Sequence, residues 1–500
     1  MSRRRRWILT ACVAAFLLAA GFLGKPLLHL ARGQEGDRDT REPPPTGSVD
    51  DASRLNQTPV AEVFRVAVDG RDPEGQLRGL LARARAEGLR VSVAGARHSM
   101  GGHTLYPGGI VVDTRGWQRM ELHEESGLLT VQAGALWKDV IPYLDRRGRS
   151  VAVMQSNHSF SVGGSLSVNC HGWQRGHPPI ASTVESFRLM QPDGTVVRCS
   201  RTQNPELFSL ALGGYGLFGI ILDADLRVVR NERYRLEQHL VPVDRALAAL
   251  ASPVEDRPNL QMVFARMSIV PSRLFEEVIL NALVRDPGEI PALSAAGTAE
   301  LRRAVFRGSA GSDYGKRLRW NAETRLQPLL AGKVFSRNQL LNEGVEVLEN
   351  RSAETTDILH EYFVPPRRAA AFVGEMRRIV ESHRPDLLNV TLRDVDADTD
   401  TFLRYADRRM VAFVMLFAQA RSAAGESAME ALTRDLVDAA LRHEGRYYLP
   451  YRLHATPEQF HRAYPQARRF FELKRRQDPA ELFQSQFYLK YGQTEPTGES

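Results

Sequence analysis

Residues Val91–Tyr106 read VSVAGARHSMGGHTLY. A short apolar strand, Val91–Ala94, runs into a Gly-rich turn that carries Arg97, His98, Ser99, Gly101, Gly102 and His103. Small residues in such a turn let backbone N–H groups come close to an anion, as a diphosphate site requires. The spacing is not GxGxxG, and it is not a phosphate loop of the GK[ST] type, which opens a helix. Read by itself, the segment is either a phosphate cradle or a Gly-rich turn holding a solvated histidine.

Two further segments separate these readings. Ser156–His171 is SNHSFSVGGSLSVNCH, followed by Gly172 and Trp173, giving the pattern VGG-x-x-x-x-N-x-HG. Pro205–Ile221 is PELFSLALGGYGLFGII: an amphipathic helix breaks at Gly213–Gly214 and an apolar strand follows. In this order and at these separations, the three segments resemble the flavin-binding signatures of the vanillyl-alcohol oxidase family. The resemblance implies FAD as cofactor and a two-subdomain FAD-binding domain of the PCMH type. It places Ala94, Gly95, Ala96, Arg97, His98, Ser99, Gly102 and His103 around the diphosphate. Ser156, Gly163, Gly164, Ser167, Asn169, His171 and Gly172 fall beside the ring, and Gly219 and Ile220 near the adenine half. It also implies a covalent bond from His98 to the flavin.

Length and composition set the frame. Five hundred residues exceed one ordinary core and suggest two domains behind a leader. Four of the positive charges behind the formal +7 are Arg3–Arg6, and no basic stripe with interleaved aromatics appears in the body. Nucleic acid is therefore not an expected partner. Of three cysteines, Cys12 lies in the leader, and Cys170 and Cys199 read as two buried thiols. The spacing of His171 and His177 does not suit zinc, so no metal is expected. The apolar run Trp7–Gly24 behind the arginines has the length to span a bilayer, with the body on the extracytoplasmic side. A twin-arginine signal and a lipoprotein box are alternative readings of the same stretch. Gln34–Leu55, with Pro43-Pro44-Pro45, reads as a flexible tether.

The expected architecture is α+β. Residues 1–58 form the anchor or signal and tether, 59–230 the FAD-binding domain, 231–440 an α+β substrate (cap) domain, and 441–492 a segment returning to the flavin domain. Leu77–Leu89 is a predicted helix with Leu77, Leu80, Leu81 and Ala84 on one face, and a second helix spaces Leu136, Val140, Ile141 and Leu144. Val184–Met190 and Thr195–Cys199 form a hairpin around Pro192-Asp193-Gly194. Gly288–Leu330 reads as an insertion or mobile flap. The apolar runs LLNVTLR and MVAFVMLFAQ suit the floor of a substrate sheet, and a helix is expected to start at Asp478-Pro479.

Two C-terminal stretches carry the expected chemistry. NVTLRDVDAD, Asn389–Asp398, resembles the E-x-R…AD stretch of sugar-lactone and alditol oxidases; Arg393 falls on the Arg, and Thr391 replaces the Glu. Tyr447–Pro465, YYLPYRLHATPEQFHRAYP, resembles the segment that follows it, with Arg452 at a family Lys and His454 two residues on. It also resembles decaprenylphosphoryl-ribose oxidase, whose catalytic Lys position here holds Tyr451. Arg393, Arg452, Tyr451 and His454 are thus the candidate catalytic residues. The resemblance implies hydride transfer from an alcohol carbon of a polyol, sugar or sugar lactone to flavin N5, with quinone or oxygen as acceptor. Reduction of a sterol or polyprenyl C=C bond, or an envelope flavin-binding protein without turnover, are the alternatives. Gln155, eight residues before Gly163, falls where the family controls oxygen access.

Overall fold

The computed structural model describes residues 24–67, 72–294 and 299–493 as a mixed α/β protein. A three-stranded parallel sheet places Ile110–Asp113 between Glu62–Arg65 and Val91–Ala94. The helix Pro73–Glu87 covers it through Leu77, Leu80, Leu81 and Ala84. Each of these leucines contributes about 2 kcal/mol on burial. The helix begins four residues before the predicted start. The Asp72 carboxylate accepts from the Gly75 N–H at 2.8 Å, and Pro73 fits the first turn. Gly88, at φ 68°, ends it.

A second, antiparallel sheet runs Val196–Ser200, Val184–Met190, Ile220–Arg230, Leu128–Gln132, Met120–His123. Its hairpin pairs Val196 with Met190, so the predicted second strand lies one residue early. The helix Trp137–Asp145 buries Trp137, Val140, Ile141 and Leu144; Leu136 is its N-cap.

The third sheet lies mostly within the stretch expected as the cap. Its eight strands are antiparallel, in the order Val334–Ser336, Arg233–Pro242, Glu277–Arg285, Leu260–Met267, Asp386–Val395, Met410–Ala420, Thr355–Val364, Arg446–Tyr447. Side chains alternate between faces. Tyr362 and Phe413, paired in register, meet Phe372 of the helix Pro366–His383 on one face. The opposite face carries Glu361, Val414 and Thr391 in one cross-strand row and Phe264 and Arg393 in the next. The two apolar runs read from the sequence are adjacent central strands of this sheet.

Three expectations are corrected. The expected insertion or flap contains two packed helices: Ala299–Arg307 and Asp313–Leu330 sit on the sheet, with Phe306 buried against Leu388 and Leu416 and Trp320 against Val270 and Ile279. The stretch expected as a flexible tether is docked. Asp37 pairs with Arg303 at 2.6 Å, the Thr40 N–H donates to the Arg351 carbonyl at 2.9 Å, and Asp51 is buried and accepts from Gly102 N–H at 2.8 Å. No helix starts at Asp478, which instead caps the end of Ala467–Gln477. Its carboxylate is fully buried, binds Lys474 and accepts from the N–H groups of Leu482 and Phe483. That turn delivers Phe483 beside Val91, where the chain pairs with the first sheet.

Among the described residues no helix is long and apolar enough to cross a membrane. The run Trp7–Gly24 lies outside the described residues except for Gly24. Cys170 and Cys199 are free, buried thiols.

Candidate functional site

A cavity of about 1070 Å³ separates the Gly-rich loops from the cap sheet. Strand Val91–Ala94 delivers the first loop into its wall. Arg97 takes a left-handed conformation at φ 57°, which turns the chain sharply before His98. Among the described residues, no hydrogen bond uses the backbone N–H groups of Arg97, His98 or Ser99, and the buried Ser99 hydroxyl is unpartnered. Three successive open donors beside a cavity suit an anion such as a diphosphate. A Cβ on Gly95 would stand 2.0 Å from Ser161 Oγ, and one on Gly163 would stand 2.7 Å from the Ala133 Cβ. Both positions require glycine for close approach rather than for flexibility. These residues fit an FAD diphosphate and the flavin beside it.

His98 stacks on Phe160 with ring centroids 4.1 Å apart, and its Nε2 lies 3.1 Å from the Ser159 carbonyl. A carbonyl only accepts, so Nε2 carries the proton. Burial pushes the imidazole below its usual pKa, outweighing the Ser159 contact. The neutral ring therefore keeps its lone pair on Nδ1. His103 is also held neutral, its pKa pushed down to about 3 by burial.

The cap contributes a carboxylate that sequence reasoning did not single out. Glu361, 3% exposed, places Oε1 2.6 Å from His171 Nε2 and accepts from the Tyr451 hydroxyl at 3.1 Å through Oε2. Burial alone raises the Glu361 pKa, but His171, Arg393 and Tyr451 hold it below its ordinary value. Burial pushes the Tyr451 phenol well above its usual range, so it stays protonated. Arg393 is buried and donates to Ser156 Oγ at 3.2 Å, and its Nε has no partner. Gln155 also lines this wall, accepting from Ser165 Oγ at 2.8 Å and donating to the Asn157 carbonyl at 2.8 Å.

Glu361 had a legible signal. A lone acid among HEYFV, at a position whose neighbours in register face the cavity, is expensive to bury without partners. The segment alone does not reveal those partners, which come from residues 171, 393 and 451.

Gly95, Ala96, Arg97, His98, Ser99, His103, Ser156, Gly163, Gly164, Ser167, His171, Gly219, Arg393 and Tyr451 all line the cavity. Ala94, Gly102, Asn169, Gly172 and Ile220 do not. Ala94 and Ile220 are core residues, Gly102 donates to Asp51, and a Cβ on Gly172 would meet the Met154 carbonyl at 2.0 Å. Asn169 joins the second loop to the cap by donating to Asp398 Oδ2 at 2.9 Å. Arg452 and His454 stand apart from the other expected site residues. They line a separate small pocket, both bound to Glu426, with His454 Nε2 at 2.9 Å, and Arg452 also donates to Asn56 at 2.7 Å. Arg452 also donates to the Met100 carbonyl of the first loop at 3.2 Å, but neither side chain lines the large cavity.

Residues 72–200 match the FAD binding domain family. The chain is similar to L-gulonolactone oxidase of Mus musculus, 30% identical over 155 residues, which are 31% of this chain and 35% of that protein. It is also similar to L-gulonolactone oxidase of Bos taurus, 28% identical over 167 residues, 33% of this chain and 38% of the relative. Cytokinin dehydrogenase 5 of Oryza sativa subsp. japonica is 36% identical over 152 residues, 28% of each chain. The chain spans about a third of the length of the curated relatives it matches. With three open loop donors and two glycines that tolerate no Cβ in the matched region, this chain carries a PCMH-type FAD-binding domain, and FAD is its cofactor.

Proposed function

We propose that the protein is an FAD-dependent oxidoreductase acting on an alcohol carbon. The observation that carries the reading is the buried Glu361 carboxylate, shared by His171 and Tyr451 across one cavity from the flavin loops. Alcohol oxidation removes a hydride from carbon and a proton from oxygen. FAD, when bound, supplies the hydride acceptor; the chain must handle the proton. Glu361 is the base, reached directly or through the Tyr451 hydroxyl, which passes its own proton to the carboxylate as it takes the substrate's. The Arg393 guanidinium offers a fixed fork of donors and orients the substrate oxygen. Residue 391 holds no acid, but Glu361 sits in the same cross-strand row through Val414, so the sheet supplies a carboxylate two strands away. The two gulonolactone oxidases among the relatives support an alcohol in a sugar-like setting.

His98 is proposed to hold the flavin covalently through Nδ1. The Gln155 side chain in the cavity wall supports restricted oxygen access, and hence a quinone or other carrier as acceptor. Arg3–Arg6 and the Trp7–Gly24 run support a membrane-held body outside the cytoplasm, to be tested by fractionation with protease protection.

The deciding experiment is an anaerobic screen of alcohols for bleaching of the flavin in purified holoprotein. Bleaching that is lost in Glu361→Gln with FAD content intact is expected. Bleaching by a reduced nicotinamide, with none by any alcohol, would reverse the assigned direction.

A further inference from the structure

The cavity continues past Arg393 along a wall that the proton-handling residues do not use. Phe264 lies directly opposite Arg393 in the sheet register, and on its other side opposite Asn281. Leu283, two residues from Asn281, faces the same way and pairs with Leu236. Phe335 and Leu340 close this side, and Trp173, immediately after the His171–Gly172 pair, stacks on Phe264 with centroids 4.4 Å apart. Except for Leu283, which is buried, these side chains are half-buried, and all six line the cavity.

A site for a free polyol needs a ring of open donors and acceptors. Three polar side chains near this wall are engaged with protein, and Trp173 Nε1 is a buried donor with no partner among the described residues. Asn281 Oδ1 accepts from Gln238 at 2.8 Å, Asn389 donates to Thr391 at 3.0 Å, and Arg319 donates to the Leu388 carbonyl at 2.8 Å. Water held against six apolar side chains is displaced favourably by an apolar group and not by a hydroxylated one.

We infer that the substrate is an amphipathic alcohol: its oxidisable hydroxyl lies at Glu361 and Arg393, and a hydrophobic body runs along the Phe264–Leu283–Leu236 wall. The inference rests on the proposed alcohol-oxidising role of this cavity. Burying a methylene contributes about 0.8 kcal/mol, which is roughly fourfold in affinity.

Two probe series on the FAD-loaded protein test it. Tertiary alcohols of increasing chain length cannot be oxidised at the carbinol carbon, and their binding is read from perturbation of the flavin absorbance. The dissociation constant should fall by roughly threefold to fourfold per methylene, and Leu236→Ser or Phe335→Ser should flatten that slope. Linear primary alcohols and polyols are then compared for anaerobic flavin reduction, where the longer alcohols should exceed sorbitol and xylitol in kcat/KM. A dissociation constant independent of chain length overturns the inference whatever turnover shows. Faster reduction by polyols overturns it too and leaves the alcohol-oxidising role standing. Tight, length-dependent binding without reduction by any alcohol upholds the wall and removes the proposed reaction.

Discussion

Glu361 Oε1 and His171 Nε2 stand 2.6 Å apart, one on a cap strand and the other at the end of the second flavin-binding segment, and both side chains are buried. The contact joins the two halves of the cavity through a charge that cannot be left alone in a low-dielectric interior. The same carboxylate holds Tyr451, so three stretches separated by up to 280 residues converge on one group.

Glu361→Gln keeps the shape and removes the base. Flavin reduction by the best alcohol should fall by at least 100-fold in kcat/KM, in the range of a lost general base, while the flavin spectrum stays that of the loaded protein. Anaerobic stopped-flow absorbance checks it, and a loss below tenfold would assign Glu361 a positioning role only.

Because the folded Glu361 pKa lies below its unfolded value, its ion-pair contribution is present above the unfolded carboxylate pKa and is lost as pH falls through the folded one. Activity should therefore persist as pH falls through the ordinary carboxylate range and decline only below it. A profile of kcat/KM against pH in the wild type and in Tyr451→Phe measures this. A limb rising between pH 6 and 8 would point to a base other than Glu361.

Arg393 and Arg452 should behave oppositely. Arg393→Ala should lower kcat/KM by more than tenfold, roughly 1.4 kcal/mol or more. Arg452→Ala should leave flavin reduction within about threefold of wild type and lower the melting temperature, because it strips a partner from Glu426. The Glu426 carboxyl is held down to about 2 by His454 and Arg452 against the upward push of burial. Its contribution is therefore present above the ordinary carboxylate pKa and lost between roughly pH 4.5 and pH 2. Glu426→Gln should cost about 1–2 kcal/mol at neutral pH, a partly exposed charged hydrogen-bond set, and should flatten acid unfolding in that window.

Acid precipitation should leave the yellow colour with the wild-type protein, and His98→Ala should release FAD to the supernatant. Phe160→Leu, which removes the stacked ring but not the nucleophile, should slow attachment without abolishing it. Colour lost from the wild type would remove the covalent bond and leave FAD binding untouched.

Gln155→Gly should speed reoxidation of the reduced flavin by oxygen, since the Gln155 side chain is fixed in the cavity wall by Ser165 and the Asn157 carbonyl. Mixing substrate-reduced protein with air-saturated buffer measures the rate. Rapid peroxide formation by the wild type would reject the gate.

The sequence by itself determined the elements whose signals are local. The strand Val91–Ala94 and the turn after it, the paired glycines 163 and 164, the stripe Leu77-Leu80-Leu81-Ala84 and the apolar strands of the cap floor each follow from spacing and residue size within one segment. FAD followed because three such segments, in this order, resemble the flavin-binding signatures of a known family. The tertiary structure alone decided which polar side chains share a space. Arg393 and Arg452 look alike in sequence, each an Arg in a motif-bearing stretch. Only sheet register brings Arg393 opposite Phe264 and into the cavity, while a neighbouring helix offers Glu426 to Arg452 and ties it down elsewhere. Glu361 was hidden for the same reason. A charge on a strand has no assigned role until folding supplies its partners, and those partners, His171, Arg393 and Tyr451, come from other elements, where no spacing rule reaches. The docked Gln34–Leu55 segment differs in a related way: its polar composition denies it a core of its own, but Arg303 and Gly102 give it ion pairs and hydrogen bonds that only the assembled cap and loop present.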